Sequence, residues 1–280
     1  MTLASLLAGA EPKLEPSADL AWLLAGWLDC SVPALTLQLN RELDPARQAL
    51  IRAGLLRLAQ GEPPQYILGK AWFYGLELLV DHRVLIPRPE TEGLVELALQ
   101  LLEPAARVLE IGTGSGAIAI ALKHERPDLA LTATDISAAA LDLARANASR
   151  HGCLIGFLAA DLYPAGAGPF DLVISNPPYI SAAEYGELET KVRDFEPRQA
   201  LLAEENGLQI YRRLFARLHN HLADNGLSLF EHGFAQREAI TALGAAAGFE
   251  CCLAQDDLAG RNRYLGFKFK QSNRKKRKSG

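Results

Sequence analysis

The chain has 280 residues, of which 49% are hydrophobic and 22% are charged, and this suits one large domain with or without a small one. Its formal net charge of −4 is uneven, because removing the five basic residues of segment 271–280 from the total of 29 leaves 24 basic against 33 acidic residues, or −9. This acidic charge disfavours a protein that binds long duplex DNA, because such binding requires a broad basic face on the protein.

The first 65 residues have the pattern of a small helical domain. Apolar residues recur at helical spacing in Leu20–Leu28 and again in Leu50–Leu58. Asp44 and Pro45 have the pattern of a helix cap followed by a first-turn proline. The stretch Leu20–Leu28 is too short to span a bilayer, and no cationic segment precedes an apolar one at the N-terminus. We therefore expect residues 1–65 to form a helical domain of a soluble, cytoplasmic protein that does not enter a membrane.

A β-hairpin linker is predicted for residues 66–86. Its apolar and aromatic runs at 66–68, 72–74, 76–80 and 84–86 are separated by turn residues such as Gly69 and Gly75. The linker leads into segment 87–92 and then into an amphipathic helix. The apolar face of that helix is expected to comprise Leu94, Leu97, Ala98, Leu101 and Leu102.

Short apolar strands then alternate with helical segments up to residue 270. The expected strands are Arg107–Ile111, Ala130–Thr134, Ile155–Ala159, Leu172–Ser175 and Leu227–Glu231. This alternation predicts an α/β fold, with a mostly parallel sheet and helices on both of its faces. Phe249–Leu253 and Tyr264–Lys270 are expected to form a terminal hairpin.

A glycine-rich loop follows the first of these strands. It consists of Gly112, Thr113, Gly114, Ser115 and Gly116. Such glycines let the backbone turn tightly and let a ligand press against it, while the helix that follows offers free N–H groups. Asp135 ends the second strand, where an acid either accepts hydrogen bonds from both ribose hydroxyls of an adenosine or caps a helix. The loop alone is a weak signal, because dinucleotide enzymes carry glycines at the same place.

Asp161 and Leu162 stand at the end of the third strand. A carboxylate beside an apolar side chain suits the amino group and the face of an adenine. An ordinary turn at a strand end explains the pair nearly as well.

The run Asn176, Pro177, Pro178 and Tyr179 follows the strand that ends at Ser175. Two consecutive prolines hold the backbone extended and remove two N–H donors, which leaves the Asn176 side-chain oxygen and the Pro177 carbonyl as fixed acceptors. Two such acceptors orient a flat NH2 group and favour its pyramidalisation as positive charge develops. Tyr179 can stack on the same planar group. The run therefore indicates methyl transfer to a conjugated amide or amine nitrogen, and it disfavours an NAD dehydrogenase or a non-enzymatic cofactor sensor.

In this order, the glycine loop, Asp135 and residues 176–179 resemble class I methyltransferases. More particular segments resemble the PrmC/HemK family, the peptide chain release factor glutamine methyltransferases. These segments are Gln65–Gly69, Val84–Glu92, Phe195–Pro197 with Ala200 and Leu201, and Asp257–Arg263. The resemblance covers roughly residues 60–270 and implies a Rossmann-like methyltransferase domain over residues 87–270.

The resemblance implies that S-adenosyl-L-methionine donates a methyl group to a glutamine side-chain nitrogen, leaving S-adenosyl-L-homocysteine. That glutamine belongs to the Gly-Gly-Gln loop of bacterial class I release factors. The N-terminal domain is expected to contact the release factor away from this loop. The implied cofactor-binding residues are Gly112, Thr113, Gly114, Ser115, Gly116, Asp135, Asp161, Leu162 and Asn176. The implied substrate-binding residues are Asn176, Pro177, Pro178 and Tyr179, with Asn176, Pro177 and Tyr179 catalytic. No metal is expected.

Two departures from the family and one alternative accompany this hypothesis. Asn262 stands where the family suggests an aspartate, and Leu162 stands where an aromatic residue often covers adenine. The alternative is an N6-adenine methyltransferase on DNA or RNA, because its target is also a conjugated NH2 group. DNA enzymes of that kind flip the base and usually carry a recognition domain, for which this chain has no obvious room. The basic segment 271–280 is expected to be a solvated end or a weak ribosome or RNA contact.

Overall fold

The computed structural model describes residues 1–10 and 14–270, so the predictions made for segment 271–280 lie outside the described residues. Helices dominate the first part of the chain, and the helical character predicted there is confirmed. They are α1 Leu3–Ala8, α2 Ala18–Leu28, α3 Leu35–Gln38, α4 Pro45–Ala59 and α5 Pro64–Leu68.

Side-chain caps and an apolar core explain why these helices form. Ser17 caps α2 and Asp44 caps α4 by accepting a hydrogen bond from a first-turn N–H, and Pro45 follows Asp44 as predicted. The inward faces meet in a cluster built from Leu3, Leu6, Leu24, Leu28, Ile51 and Leu55. Across the described ranges no single helix is long and apolar enough to cross a bilayer, although the pair Ala18–Leu28 and Val32–Gln38, bent by 82°, meets the length and composition together.

A two-stranded hairpin follows, with β1 at Lys70–Phe73 and β2 at Leu76–Leu79. Phe73 pairs with Leu76, and the two residues between them, Tyr74 and Gly75, both have positive φ. Two such residues match the right-handed twist of antiparallel strands, so the hairpin closes tightly. The predicted hairpin is confirmed, over a shorter range than expected.

Two segments expected as strands in the linker are not strands. Residues 66–68 lie in α5, because Pro64 opens that helix and Gly69 ends it in the left-handed conformation. Residues 84–86 pair with no strand, because side chains take up their backbone groups. The Tyr66 hydroxyl donates to the Val84 carbonyl, and Glu196 Oε2 accepts from the Ile86 N–H at 3.1 Å.

The remainder of the described chain alternates helices and strands. Its helices are α6 Pro89–Leu101, α7 Ala117–Glu125, α8 Ala138–Arg150, α9 Ala182–Glu187, α10 Thr190–Arg193, α11 Arg198–Leu201, α12 Glu204–Gly207, α13 Gln209–Leu218 and α14 Arg237–Ala246. Its strands are β3 Arg107–Ile111, β4 Ala130–Asp135, β5 Gly156–Ala159, β6 Phe170–Ser175, β7 Leu222–Glu231, β8 Phe249–Asp256 and β9 Asn262–Phe269.

These seven strands form one sheet in the order β5-β4-β3-β6-β7-β9-β8. The first five in that order are parallel, while β9 runs antiparallel to both β7 and β8. The predicted mostly parallel sheet and terminal hairpin are confirmed. Strand β7 begins at Leu222, before the expected Leu227, because its polar first half still pairs with β6 through Phe170.

Helices cover both faces of the sheet, and the two faces have separate cores. Along β6, Leu172 and Ile174 join the core beneath α6 and α7, whereas Val173 joins the core beneath α13 and α14. On α6, Leu94, Leu97 and Ala98 are buried as predicted, but Leu101 is 47% exposed because the helix ends there. This buried parallel arrangement requires apolar residues on both sides of each central strand.

The strand order reverses between β3 and β6. Strand β3 continues to β4 on one side, while the chain returns to its other side only with β6. A crevice opens at the carboxyl ends of strands wherever the order reverses in this way. The loop after Ile111 and the turn after Ser175 leave the sheet at this crevice. The topology therefore brings the two most informative sequence motifs to one place.

Candidate active site

A cavity of about 360 Å³ occupies this crevice, within the range of about 300–1,000 Å³ usual for small-molecule sites. Eight residues expected at the site line it: Gly112, Gly114, Asp135, Asp161, Leu162, Asn176, Pro177 and Pro178. Four expected residues do not belong to the lining: Thr113, Ser115, Gly116 and Tyr179.

The glycine loop is held by its backbone. The N–H groups of Gly112 and Thr113 both donate to the Thr134 carbonyl, at 2.8 and 3.0 Å. Gly112 and Gly114 have positive φ and open space where a Cβ would stand, so a ligand can approach their backbone. Gly116, in contrast, caps α7 and packs inward, away from the cavity.

Asp135 binds the loop directly. Its Oδ2 accepts from the Gly114 N–H and its Oδ1 from the Ser137 N–H, both at 2.9 Å. Ser137, not Asp135, caps α8, so the helix-cap explanation for Asp135 is wrong. The carboxylate ties the glycine loop to the end of β4 and still lines the cavity.

Glu110 lies beneath the loop as a buried carboxyl group. It accepts from the Thr113 hydroxyl at 2.7 Å and from the Ala119 N–H at 3.1 Å, so Thr113 faces the protein interior and not the cavity. Burial raises the pKa of Glu110 to about 8, although these two hydrogen bonds oppose the rise and the charge of Asp135 adds to it. Glu110 therefore supports the loop from behind.

Asn147 on α8 connects the loop to the hairpin. This fully buried side chain donates to the Ser115 carbonyl at 2.9 Å and to the Leu79 carbonyl at 3.0 Å, and it accepts from the Leu79 N–H at 2.7 Å. Sequence reasoning missed it, because one asparagine within a helix carries no pattern of its own. The hairpin is thereby fixed against the loop that borders the cavity.

The third strand contributes Asp161 and Leu162. Asp161 Oδ2 accepts from the Arg213 guanidinium, so a ligand at this place would meet its other oxygen. Leu162 has a φ of +72°, and its carbonyl accepts from the Thr134 hydroxyl at 2.7 Å. That bond holds a non-glycine residue in the left-handed region, where its side chain lines the cavity.

The turn after β6 presents a half-buried asparagine. Asn176 Nδ2 donates to Thr91 Oγ1 at 3.0 Å, which leaves its side-chain oxygen as the free acceptor. Pro177 is buried and lines the cavity with Pro178. Ser175, just before the turn, donates its hydroxyl proton to the Ile111 carbonyl at 2.7 Å. The two motifs are thereby joined across the end of the sheet.

The Tyr179 ring packs beside the second core, outside the cavity lining. Its carbonyl accepts from Gln236 Nε2 at 2.9 Å. Burial, together with the nearby charge of Glu231, raises the pKa of the Tyr179 hydroxyl to about 12. In this structure Tyr179 therefore supports the turn and does not offer a face to the cavity.

Residues from two further segments complete the wall, and sequence reasoning assigned them no role. Arg83 and Leu85 come from the linker, while Pro197, Gln199 and Ala200 come from the segment around α11. Glu196 joins these segments by accepting from the Arg88 guanidinium and the Ile86 N–H. The run Phe195–Pro197 was the signal that could have pointed to it. Within the described ranges, no three His, Cys, Asp or Glu residues are grouped as metal ligands would be.

Known proteins match both parts of the chain. Residues 3–69 match the family model described as PrmC N-terminal domain, and residues 93–223 match the one described as Methyltransferase small domain. The chain is 41% identical over 249 residues to the release factor glutamine methyltransferase of Streptococcus pneumoniae (strain ATCC BAA-255 / R6), covering 87% of this chain and 89% of that protein. It is 40% identical over 263 residues to the protein of the same name in Xylella fastidiosa (strain Temecula1 / ATCC 700964), covering 92% and 95%.

A solved structure supports the fold separately. A methyltransferase from Pyrococcus furiosus superposes with a TM-score of 0.53 at 20% identity, over 80% of this chain and 98% of that chain. At this identity the likeness concerns the fold alone. The predicted Rossmann-like methyltransferase fold is confirmed.

Proposed function

Because the chain belongs to the family of release factor glutamine methyltransferases, we propose that it methylates the glutamine of the Gly-Gly-Gln loop in class I peptide chain release factors. The methyl donor is S-adenosyl-L-methionine, and the acceptor is the side-chain amide nitrogen. The observation that carries the proposal is the meeting of the glycine loop with Asn176 and Pro177 at one cavity. That arrangement puts cofactor-type and amide-type contacts within one cavity.

The residues around the cavity fit this cofactor. Gly112 and Gly114 leave open space against their backbone, and Asp135 offers a carboxylate of the kind that accepts from ribose hydroxyls. Leu162 supplies an apolar contact for the adenine, and Asp161 an acceptor for its amino group. When bound, S-adenosyl-L-methionine supplies a methyl group on a sulfonium. Thr113, Ser115 and Gly116 shape the loop and do not line the cavity.

The substrate side depends on acceptors and requires no strong base. An amide nitrogen is a poor nucleophile because its lone pair is delocalised, so its two hydrogens must be held while the nitrogen turns pyramidal. We assign that task to the Asn176 side-chain oxygen and the Pro177 carbonyl, with Pro178 and Tyr179 fixing the turn. The methylated nitrogen then loses a proton readily. Alignment and proximity supply most of the acceleration.

We propose that residues 1–65 contact the release factor away from its loop. Residues 66–86 would join them to the methyltransferase domain, residues 87–270. The position of the linker supports this division, because Arg83 and Leu85 belong to the cavity wall. Because such a substrate acts in translation termination, we propose that the protein works in the cytoplasm. The N6-adenine alternative is not favoured, since relatives that match most of the chain are named for release factors.

The test is to incubate the full chain with methyl-labelled S-adenosyl-L-methionine and a bacterial class I release factor, and to locate the label by mass spectrometry. Label is expected on the loop glutamine, and none on a factor whose loop glutamine is changed to alanine. Label on adenine of DNA or RNA instead would overturn the substrate and leave the fold standing.

Asn176→Ala, with Asn262→Ala as its matched control, tests the site in the same assay. Removing the acceptor at Asn176 is expected to lower kcat about 100-fold or more, as when one contact to developing charge is lost. Asn262 does not line the cavity; its side chain donates to the Phe234 carbonyl. Its alanine variant should therefore keep the wild-type rate within about twofold. Equal losses in the two variants would contradict the assignment.

A further inference from the structure

Glu231 is a buried carboxyl group at the carboxyl end of β7, behind the turn that carries Asn176. Ser175 pairs with Phe230 across β6 and β7, so Asn176 and Glu231 leave the two strands side by side. Glu231 is 1% exposed, and its Oε2 has no hydrogen-bond partner among the described residues. A buried carboxyl group with an unsatisfied oxygen is costly to the fold. Its position beside Asn176 suggests what it does there.

Thr91 connects the two side chains. It lies in the first turn of α6, is 5% exposed, and accepts from Asn176 Nδ2 at 3.0 Å through Oγ1. Burial raises the pKa of Glu231 to about 7, although the nearby Thr91 and Asn176 side chains and the charge of Arg263 oppose the rise. A hydroxyl has one proton to give. When that proton points to Glu231, Thr91 Oγ1 is left to accept from Asn176.

The direction in which the Thr91 hydroxyl donates its proton matters because an asparagine amide has two orientations of nearly the same shape. Rotation by half a turn exchanges the oxygen with the NH2 group. An ionised carboxylate only accepts hydrogen bonds, so it favours the orientation in which the Asn176 nitrogen faces Thr91 and Glu231. The Asn176 oxygen then faces the cavity. In the reverse orientation, NH2 of Asn176 would face NH2 of the substrate, and both would lose a partner.

We propose that Glu231 is a positioning residue, which acts through Thr91 to fix the Asn176 amide with its oxygen towards the substrate nitrogen. Glu231 itself does not line the cavity. The inference rests on the proposed function in one respect, namely that the substrate offers an NH2 group. It adds to that function a residue 55 positions away from the Asn176 motif that selects which end of the Asn176 amide is presented.

The test compares Glu231→Gln and Thr91→Val with the wild-type chain at pH 8, above the pKa of about 7. A glutamine amide can donate to Thr91, whose hydroxyl then donates to the Asn176 oxygen and reverses the asparagine. Valine removes the hydroxyl while keeping the branched shape. Each variant is expected to lower kcat for release factor methylation about 10- to 100-fold. Affinity for S-adenosyl-L-methionine by calorimetry should stay within about twofold.

Thr91→Ser is the matched control, because it keeps the hydroxyl and should retain the wild-type kcat within about threefold. The double variant Glu231→Gln with Thr91→Val should be no slower than Thr91→Val alone, since both changes act on one connection. Full activity of Glu231→Gln, or additive losses in the double variant, would overturn the proposal. So would a parallel loss of cofactor affinity and thermal stability, which indicates support of the fold alone. If Glu231→Gln does not fold, the contrast between Thr91→Val and Thr91→Ser decides.

The acceptor that the wild-type chain labels distinguishes a failure of the proposed function from a failure of the role of Glu231. If it labels a conjugated NH2 group other than the release factor glutamine, the proposed substrate is wrong. The relative rates of the four variants on that group then still test Glu231, because the orientation of the Asn176 amide matters for any NH2 acceptor.

Discussion

The loop glycines share a positive φ but meet different surroundings. A Cβ on Gly116 would lie 2.9 Å from Cδ1 of Ile120 and 3.3 Å from Cβ of Ala144, whereas Gly112 and Gly114 have open space there. The same residue type therefore serves packing at one position and ligand approach at the other two. Glycine spacing in a sequence does not separate these roles.

Gly114→Ala and Gly116→Ala should consequently fail in different ways. Both introduce left-handed strain of about 1 kcal/mol or more, and Gly116→Ala adds about 1–3 kcal/mol of overpacking against α7 and α8. Gly114→Ala should instead weaken S-adenosyl-L-methionine binding roughly tenfold or more, because its methyl group enters the cavity. Urea unfolding and calorimetry measure the two effects. Equal cofactor affinities in the two variants would contradict this division.

Glu110 makes the stability of the fold depend on pH. Its pKa rises from 4.5 to about 8 on folding because the carboxyl group is buried. The folded state therefore binds the proton more tightly, and the bound proton contributes to the free energy of unfolding. This contribution to stability is complete below pH 4.5 and is lost as pH rises towards 8. Glu110→Gln mimics the protonated form. Its free energy of unfolding, relative to that of wild type, should increase with pH by up to about 1.4 kcal/mol per unit in this window.

Urea unfolding at pH 5, 6.5 and 8 measures this difference for Glu110→Gln. The matched control is Glu187→Gln, at an exposed position of α9, which should show no such trend. A difference between Glu110→Gln and wild type that stays constant with pH would show that Glu110 is ionised throughout.

At the scale of elements, Glu196 holds three pieces of chain together. It lies between α10 and α11, is 4% exposed, and accepts from Arg88 at the start of α6 and from the Ile86 N–H of the linker. Because these segments form part of the cavity wall, their attachment bears on the site. The interaction involves a buried carboxylate with two donors, which differs from the exposed ion pairs of the surface.

Glu196→Ala is expected to lower the free energy of unfolding by about 3 kcal/mol, since it leaves a buried N–H and a partly buried guanidinium without their acceptor. Hydrogen exchange should become faster at Ile86. The control is Glu189→Ala, which removes an exposed carboxylate paired with Lys191 at 3.2 Å and should change stability by less than about 0.5 kcal/mol. Similar losses of unfolding free energy in the two variants would mean that Glu196 does not hold these segments together.

At the scale of the whole molecule, the site lies within residues 83–213, and the N-terminal helices adjoin it through the linker. Segment 271–280 contributes five of the 29 basic residues. A chain ending at Lys270 should therefore methylate a free release factor at the wild-type initial rate within about twofold, because the cavity residues are all retained. Initial rates with both chains at low and moderate salt are the measurement. A drop beyond about tenfold at moderate salt would assign the segment to substrate binding.

The sequence determined the elements whose signals are local. The cap at Asp44, the turn at Gly75 and strand β3 were predictable, because capping, turn geometry and apolar runs depend on adjacent residues. The family prediction is likewise confirmed, since it depended on contiguous motifs. Segment 84–86 was mispredicted because an apolar run does not reveal that side chains from elsewhere will take up its backbone groups.

Tertiary structure alone decided which residues support the site. Thr91, Asn147 and Glu231 lie within a helix or a strand and Glu196 lies between α10 and α11, and each gains a role from a partner distant in sequence. For Tyr179 the motif suggested stacking on a substrate, whereas in the folded chain its ring packs beside the second core, outside the cavity lining. Local chemistry identifies the groups that can react. The direction in which each group points depends on hydrogen bonds that form only when the strands and helices meet.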